Sequence, residues 1–246
     1  MLMRVFVTGA TGGIGSAVVP ELIGAGHEVL ALARSDASAR AARALGADVL
    51  PGDLDDPDSL RTGAKESDGV VHLAFLHFDD FEKAVAQEAG AVDAFGAALD
   101  GTGKPFVMAS GTPPVPGRAS TERDAPPTEG PIGGRAQNAH AALELAARGV
   151  RSAVVRLPRS VHRAGGPCGF ASLLVEAARR TGVSGYVGDG VRHRPRSGLL
   201  EDQAEQAGGV EDVHGGPALG AVADVSGHPG SSGGLDEQGG ETAGAA

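Results

Sequence analysis

The sequence predicts an α/β fold, a doubly wound parallel sheet with helices on both faces. Three observations carry this. Short runs of β-branched and aromatic residues alternate six times with helical patterns, the arrangement that produces parallel strands joined by right-handed crossovers. The first run ends on glycines at GxxGxxG spacing, Gly9, Gly12 and Gly15. The alternation then stops near His193–Arg196, and a chain of different composition follows.

The first element is Val5-Phe6-Val7, apolar on both faces and therefore a buried parallel strand. It leads into Thr8-Gly9-Ala10-Thr11-Gly12-Gly13-Ile14-Gly15, after which Ile14, Val18, Leu22 and Ile23 repeat at helical spacing. A strand, a glycine turn and a helix in this order suit a dinucleotide. One glycine makes the tight turn, one lets backbone approach a pyrophosphate and one lets the helix pack on the strand, with the helix N-terminus facing the phosphates. Ordinary turns also carry glycines at this spacing, so the setting is what gives the motif its meaning.

Residues 28–33 form the second strand and end at Arg34-Ser35. The residue closing this strand meets the adenosine ribose in a dinucleotide fold; an acid there suits a free 2′-hydroxyl and an arginine a 2′-phosphate. Arg34 therefore favours NADP over NAD, the alternative being a solvated arginine at a strand end. Residues 36–46 read as a short helix with Asp36 as its N-cap, and Asp48-Val49-Leu50 as the third strand. Asp53 and Leu54 follow, placed to meet an adenine amino group and ring, although Asp53 equally fits a turn or cap. Asp56 and Pro57 mark the next helix start.

Residues 69–75 read as the fourth strand, with His72 as a packed, hydrogen-bonded core histidine. His77, Asp79 and Asp80 at its exit have no spaced partner, and no metal site is expected. Phe81, Val85, Val92, Phe95 and Leu99 mark one face of a helix over residues 79–99, a face that must pack on the sheet or on a second subunit in a homodimer. Residues 105–110 form the fifth strand and deliver Ser110, Gly111 and Thr112 to its C-terminal end, the edge where open α/β sheets bind ligands. A Pro- and Gly-rich loop, a helix over residues 135–148, a sixth strand over residues 152–157, a helix over residues 170–180 and a short strand over residues 183–187 complete the pattern.

Of the net charge of −10, nine acidic residues fall in residues 197–246, which hold no Lys or Arg, so the patterned part is nearly neutral. It has no basic patch for nucleic acid and no apolar run long enough to span a bilayer. The single Cys168 and the absence of a secretory leader fit a cytoplasmic protein. Residues 1–192 are expected to form the dinucleotide-binding domain. Residues 193–246, rich in glycine and acid, are expected to be mostly disordered, save a short helix over residues 199–206.

These motifs, with Gly52-Asp53-Leu54, His72-Leu73-Ala74, Ala109-Ser110-Gly111-Thr112 and Val155-Arg156-Leu157-Pro158, resemble the short-chain dehydrogenase/reductase superfamily, in its extended epimerase/dehydratase-like branch. The resemblance implies a Rossmann-like domain, here with a reduced or missing C-terminal substrate lobe. It implies a cofactor site of Gly9, Thr11, Gly12, Gly13, Ile14, Gly15, Arg34, Asp53, Leu54, Leu73, Ala74 and Pro158. Relatives exchange protons through Tyr-x-x-x-Lys on the helix before the sixth strand. That motif is absent here; its positions fall on Ala136 and His140, and the one tyrosine is Tyr186. Ser110, Thr112 and His140 are left as the catalytic candidates, His140 having also the reading of a helix-surface histidine. The implied function is NAD(P)-dependent oxidoreduction of a small carbonyl, hydroxyl or sugar-like substrate. The alternative is a non-catalytic NADP-binding sensor or scaffold.

Overall fold

A computed structural model describes residues 2–75, 80–115, 118–130, 133–158 and 169–183. The elements run β1 (Arg4–Thr8), α1 (Gly15–Gly24), β2 (Glu28–Ala33), α2 (Asp36–Ala44), β3 (Asp48–Pro51), α3 (Pro57–Lys65), β4 (Gly69–His72), α4 (Phe81–Leu99), β5 (Pro105–Gly111), α5 (Gly133–Glu144), a 3₁₀ turn (Leu145–Arg148), β6 (Arg151–Leu157) and α6 (Gly169–Thr181). All strand pairings are parallel, in the order β3-β2-β1-β4-β5-β6. Strand order therefore reverses beside β1, and the crevice between the C-terminal ends of β1 and β4 is the switch point of a doubly wound sheet.

The side-chain period of a strand divides the core in two. Val5 and Val7 point to one face, where they join Val19, Val29 and Ala31 beneath α1 and α2. Phe6 points to the other and packs with Leu60, Val70, Phe95, Phe106 and Met108 beneath α3, α4 and α5. The α4 stripe serves this core: Val92, Phe95 and Leu99 are fully buried, Phe95 meeting the rings of Phe6, His72 and Phe106. What α4 leaves exposed is Glu82, Lys83, Ala86, Gly90, Asp93 and Ala97.

Helix starts follow their caps. Ser35, rather than Asp36, caps α2, because its hydroxyl accepts from Ser38 N–H (3.2 Å) while Ser38 Oγ accepts from Ser35 N–H (3.1 Å), a reciprocal box that places Asp36 inside the first turn. Asp56 caps α3 with Pro57 in its first turn, and Asp80 caps α4. The 3₁₀ turn after α5 ends at Gly149, in the left-handed region at φ 75°.

The fourth strand is shorter than its apolar run. It stops at His72: Leu73 N–H makes the last bond of the ladder, to Thr8 O (3.2 Å), and Ala74 N–H turns instead to the Thr8 hydroxyl (3.3 Å). The strand expected over residues 183–187 lies beyond the described residues after Val183. Cys168, Tyr186, His77, Asp79 and the whole of residues 193–246 also lie outside them.

Candidate functional site

The crevice at the switch point is built from the β1 exit. Gly9 sits at φ 71°, and a Cβ there would fall 2.7 Å from the backbone nitrogen of Ala74. The close approach of the β1 and β4 exits thus requires glycine. Gly15 opens α1 and is buried; a Cβ on it would run into the Gly9 carbonyl oxygen. Between them Gly12 N–H donates to Gly9 O (3.0 Å), closing the turn. Thr11, Gly12 and Gly13 are exposed and Ile14 half-buried. Ile14 stands in the N-cap position of α1, where it offers no hydrogen-bonding side chain, and the first turn holds no acid. Of the first-turn N–H groups, Ser16 donates to Gly12 O (2.9 Å) and Ala17 to Ile14 O (3.0 Å), so what the helix N-terminus presents at the turn is chiefly the positive end of its dipole.

The turn is braced from beneath. The Thr8 hydroxyl meets His72 Nδ1 at 2.7 Å while accepting from Ala74 N–H, so one side chain ties the β1 exit to the β4 exit. His72 is fully buried, with its ring edge-on to Phe95 at 5.5 Å. Burial, with a smaller contribution from the Arg135 cation, pushes its pKa down to about 4, so the ring is neutral at physiological pH. Leu73 and Ala74 then pass half-buried and buried along the crevice.

On the β2–β3 side a cleft of about 380 Å³ is lined by Arg34, Ser35, Arg43, Asp53 and their neighbours, including Asp36 and Asp56. The structure so brings Arg34 and Asp53 together, with Arg43 from α2 as a third member that no local pattern singled out. Asp53 Oδ1 accepts from Asp55 N–H (3.2 Å), a turn-forming bond, and Leu54 is buried beside it.

On the β4–β6 side the candidates are spread. Ser110 is half-buried near the end of β5. The Thr112 hydroxyl donates to Leu157 O (3.0 Å) and helps hold β5 to β6. His140 lies on the outer surface of α5, 71% exposed, and pairs with Glu144 one turn on (3.2 Å). Ala136, at the other position of the missing motif, is buried. Pro158 is exposed just past β6.

A buried polar cluster here escaped the sequence reading. Glu88 of α4, its side chain 1% exposed, accepts from Arg135 Nε (3.2 Å) and Asn138 Nδ2 (3.1 Å) of α5. Burial pushes the Glu88 carboxyl up, against the opposing pull of Arg135 and Asn138. The signal was present: Glu88 continues the spacing of Phe81, Val85, Val92, Phe95 and Leu99, so a carboxylate occupies the apolar stripe of the helix.

Comparison with known proteins places this geometry. The model of the NAD dependent epimerase/dehydratase family matches residues 5–148. The uncharacterized protein YLL056C of Saccharomyces cerevisiae is 43% identical over 192 residues, covering 76% of this chain and 64% of that protein. The chain thus spans less than two thirds of that relative's length. Among solved structures, MoeE5 in complex with UDP-glucose and NAD is 28% identical with a TM-score of 0.57, covering 76% of this chain and 64% of that one. The UDP-glucose 4-epimerase of Thermotoga maritima shares the fold at a TM-score of 0.61 and 19% identity, covering 76% and 67% of the two chains.

Proposed function

We propose that this chain, which belongs to the NAD dependent epimerase/dehydratase family, binds a nicotinamide dinucleotide at the β1–β4 crevice and uses it for oxidoreduction of a small carbonyl, hydroxyl or sugar-like substrate. The observation that carries the reading is the cradle itself: glycine where a Cβ would collide at Gly9 and Gly15, before an uncapped helix N-terminus. The family match and the NAD held by MoeE5 support the cofactor class. NADP is the preferred form, because Arg34 closes β2 and shares its cleft with Arg43 and Ser35, groups suited to a 2′-phosphate.

In this reading the pyrophosphate lies on the Gly9–Gly15 turn, with Thr11, Gly12, Gly13 and Ile14 around it. Asp53 and Leu54 take the adenine, and Leu73, Ala74 and Pro158 border the second nucleotide half. The bound cofactor would supply or accept hydride. Ser110 would hydrogen-bond the reacting oxygen, and His140, Thr112 or water would hold the proton.

A second reading is favoured by one observation. The motif positions are a buried alanine, Ala136, and an exposed histidine, His140, already paired with Glu144. A dinucleotide-binding sensor or scaffold would need neither. Calorimetric titration with NADPH and NADH, followed by a screen of aldehydes, ketones and nucleotide sugars, separates the two. Binding with turnover supports the enzyme, binding without turnover the sensor, and binding of neither dinucleotide refutes both.

A further inference from the structure

We propose that Arg135 is a positioning residue for the nicotinamide half of the site, tying the exits of β4 and β5 to the start of α5. The proposal rests on the dinucleotide reading above and adds to it a residue from the β4–β6 side of the crevice, opposite Arg34.

Arg135 stands in the first turn of α5. A cation there opposes the helix dipole, so something else must hold it. Its Nε donates to Glu88 Oε1 (3.2 Å), its Nη2 donates to the Ala109 carbonyl (3.0 Å), and its guanidinium carbon lies 4.0 Å from the centre of the Phe75 ring. Glu88 is buried and is braced in turn by Asn138, whose Nδ2 also donates to Val85 O (2.9 Å). One guanidinium therefore reaches α4, the residue that leads out of β4 and the peptide that joins Ala109 to Ser110.

A buried ion pair is a poor source of stability, since well-packed apolar side chains of similar volume usually serve as well. What the pair does supply is fixed geometry, because the planar fork satisfies a carboxylate and a carbonyl while its face covers a ring. The two strand ends it joins, Phe75 after β4 and Ala109-Ser110 in β5, lie on the β4–β6 side of the switch point. A dinucleotide spanning this crevice lays one nucleotide half on each side, the adenosine half toward β2 and β3 and the nicotinamide half over β4 and β5. Arg135 sets the shape of the second platform and has no part in the first.

The test compares the whole cofactor with its adenosine half. NADPH, NADH and adenosine 2′,5′-bisphosphate are titrated into wild type, Arg135→Lys and the neutral double variant Glu88→Gln/Arg135→Gln. Lysine keeps a charge for Glu88 and loses the fork and the stack; the double variant leaves no unpaired buried charge should the single variant fold poorly. The expected result is dinucleotide binding weakened about tenfold in both variants, through misplacement of the nicotinamide platform. Bisphosphate binding should stay within about twofold of wild type, as expected for a distant, independent site. Equal weakening of dinucleotide and bisphosphate would make Arg135 a general structural residue and overturn the proposal, as would unchanged dinucleotide binding. If wild type itself binds no dinucleotide, the dinucleotide reading fails first and visibly, before any variant is compared.

Discussion

Replacing His72 tests how the crevice is braced, and its size follows from the structure. The ring is fully buried and its pKa is depressed from 6.5 to about 4, so the folded state resists a proton that the unfolded chain accepts. Between pH 6.5 and 4 the unfolded state binds more protons, and stability must rise with pH there and fall as the solution is acidified. The full difference is about 3 kcal/mol, of which about 2 kcal/mol should be lost between pH 7 and pH 4.5. For a domain of this size that is a fall in Tm of roughly 4–8 °C. Glu88 works in the opposite sense, since its raised pKa favours the folded state at low pH, so the wild-type profile alone shows only the balance. The informative quantity is the difference between wild type and His72→Gln, measured by denaturant unfolding across this range. The variant should be less stable at pH 7, through the altered Thr8 contact, and should lose less on acidification. Parallel profiles for the two proteins, within about 0.5 kcal/mol, would refute the assignment of His72 as a buried neutral ring.

Three further outcomes follow from named contacts. Arg34→Asp should weaken NADPH binding by about 1.5–3 kcal/mol and spare NADH, as for loss of a charged hydrogen bond; calorimetry showing equal losses would remove Arg34 from the 2′-phosphate. Gly9→Ala forces a side chain into the left-handed region against Ala74, and should cost roughly 1–3 kcal/mol in chemical denaturation together with most dinucleotide affinity. Phe95→Ala empties the meeting point of three rings and should cost about 3–5 kcal/mol, read from the shift of the urea midpoint at constant slope.

The order of strands and helices was legible because each element announces itself locally. Val5-Phe6-Val7 before the glycines, the Asp56-Pro57 start of α3 and the stripe of α4 are patterns of neighbours in sequence. Apart from one helix cap taken by the neighbouring residue, errors came where a partner lies far along the chain. The end of β4 was placed three residues late, because the Thr8 hydroxyl that captures Ala74 is 66 residues away. The α2 cap was placed one residue late, on Asp36, because Ser35 and Ser38 satisfy each other's backbone. The Glu88–Arg135 pair was not read at all, since it joins residues 47 apart. The adenosine side was more legible than the nicotinamide side for the same reason. Arg34 and Asp53 each follow a strand by one or two residues, whereas the β4–β6 side is assembled from α4, α5 and two strand exits.

The strand order also governs how the site comes into being during folding. β1 is made first and stands between β2, which pairs Glu28 with Arg4 24 residues away, and β4, whose Thr8–His72 contact spans 64 residues. The β1–β2 closure is the shorter-range of the two, and non-local closures are the slow ones. Half of the cradle, the Gly9–Gly15 turn, follows β1 directly; the other half, Leu73 and Ala74, is supplied only when β4 docks. A ligand held there binds only a chain whose two halves have joined, and by mass action it stabilises that joined state. The seam that spans the longer stretch of chain is the one the ligand would secure.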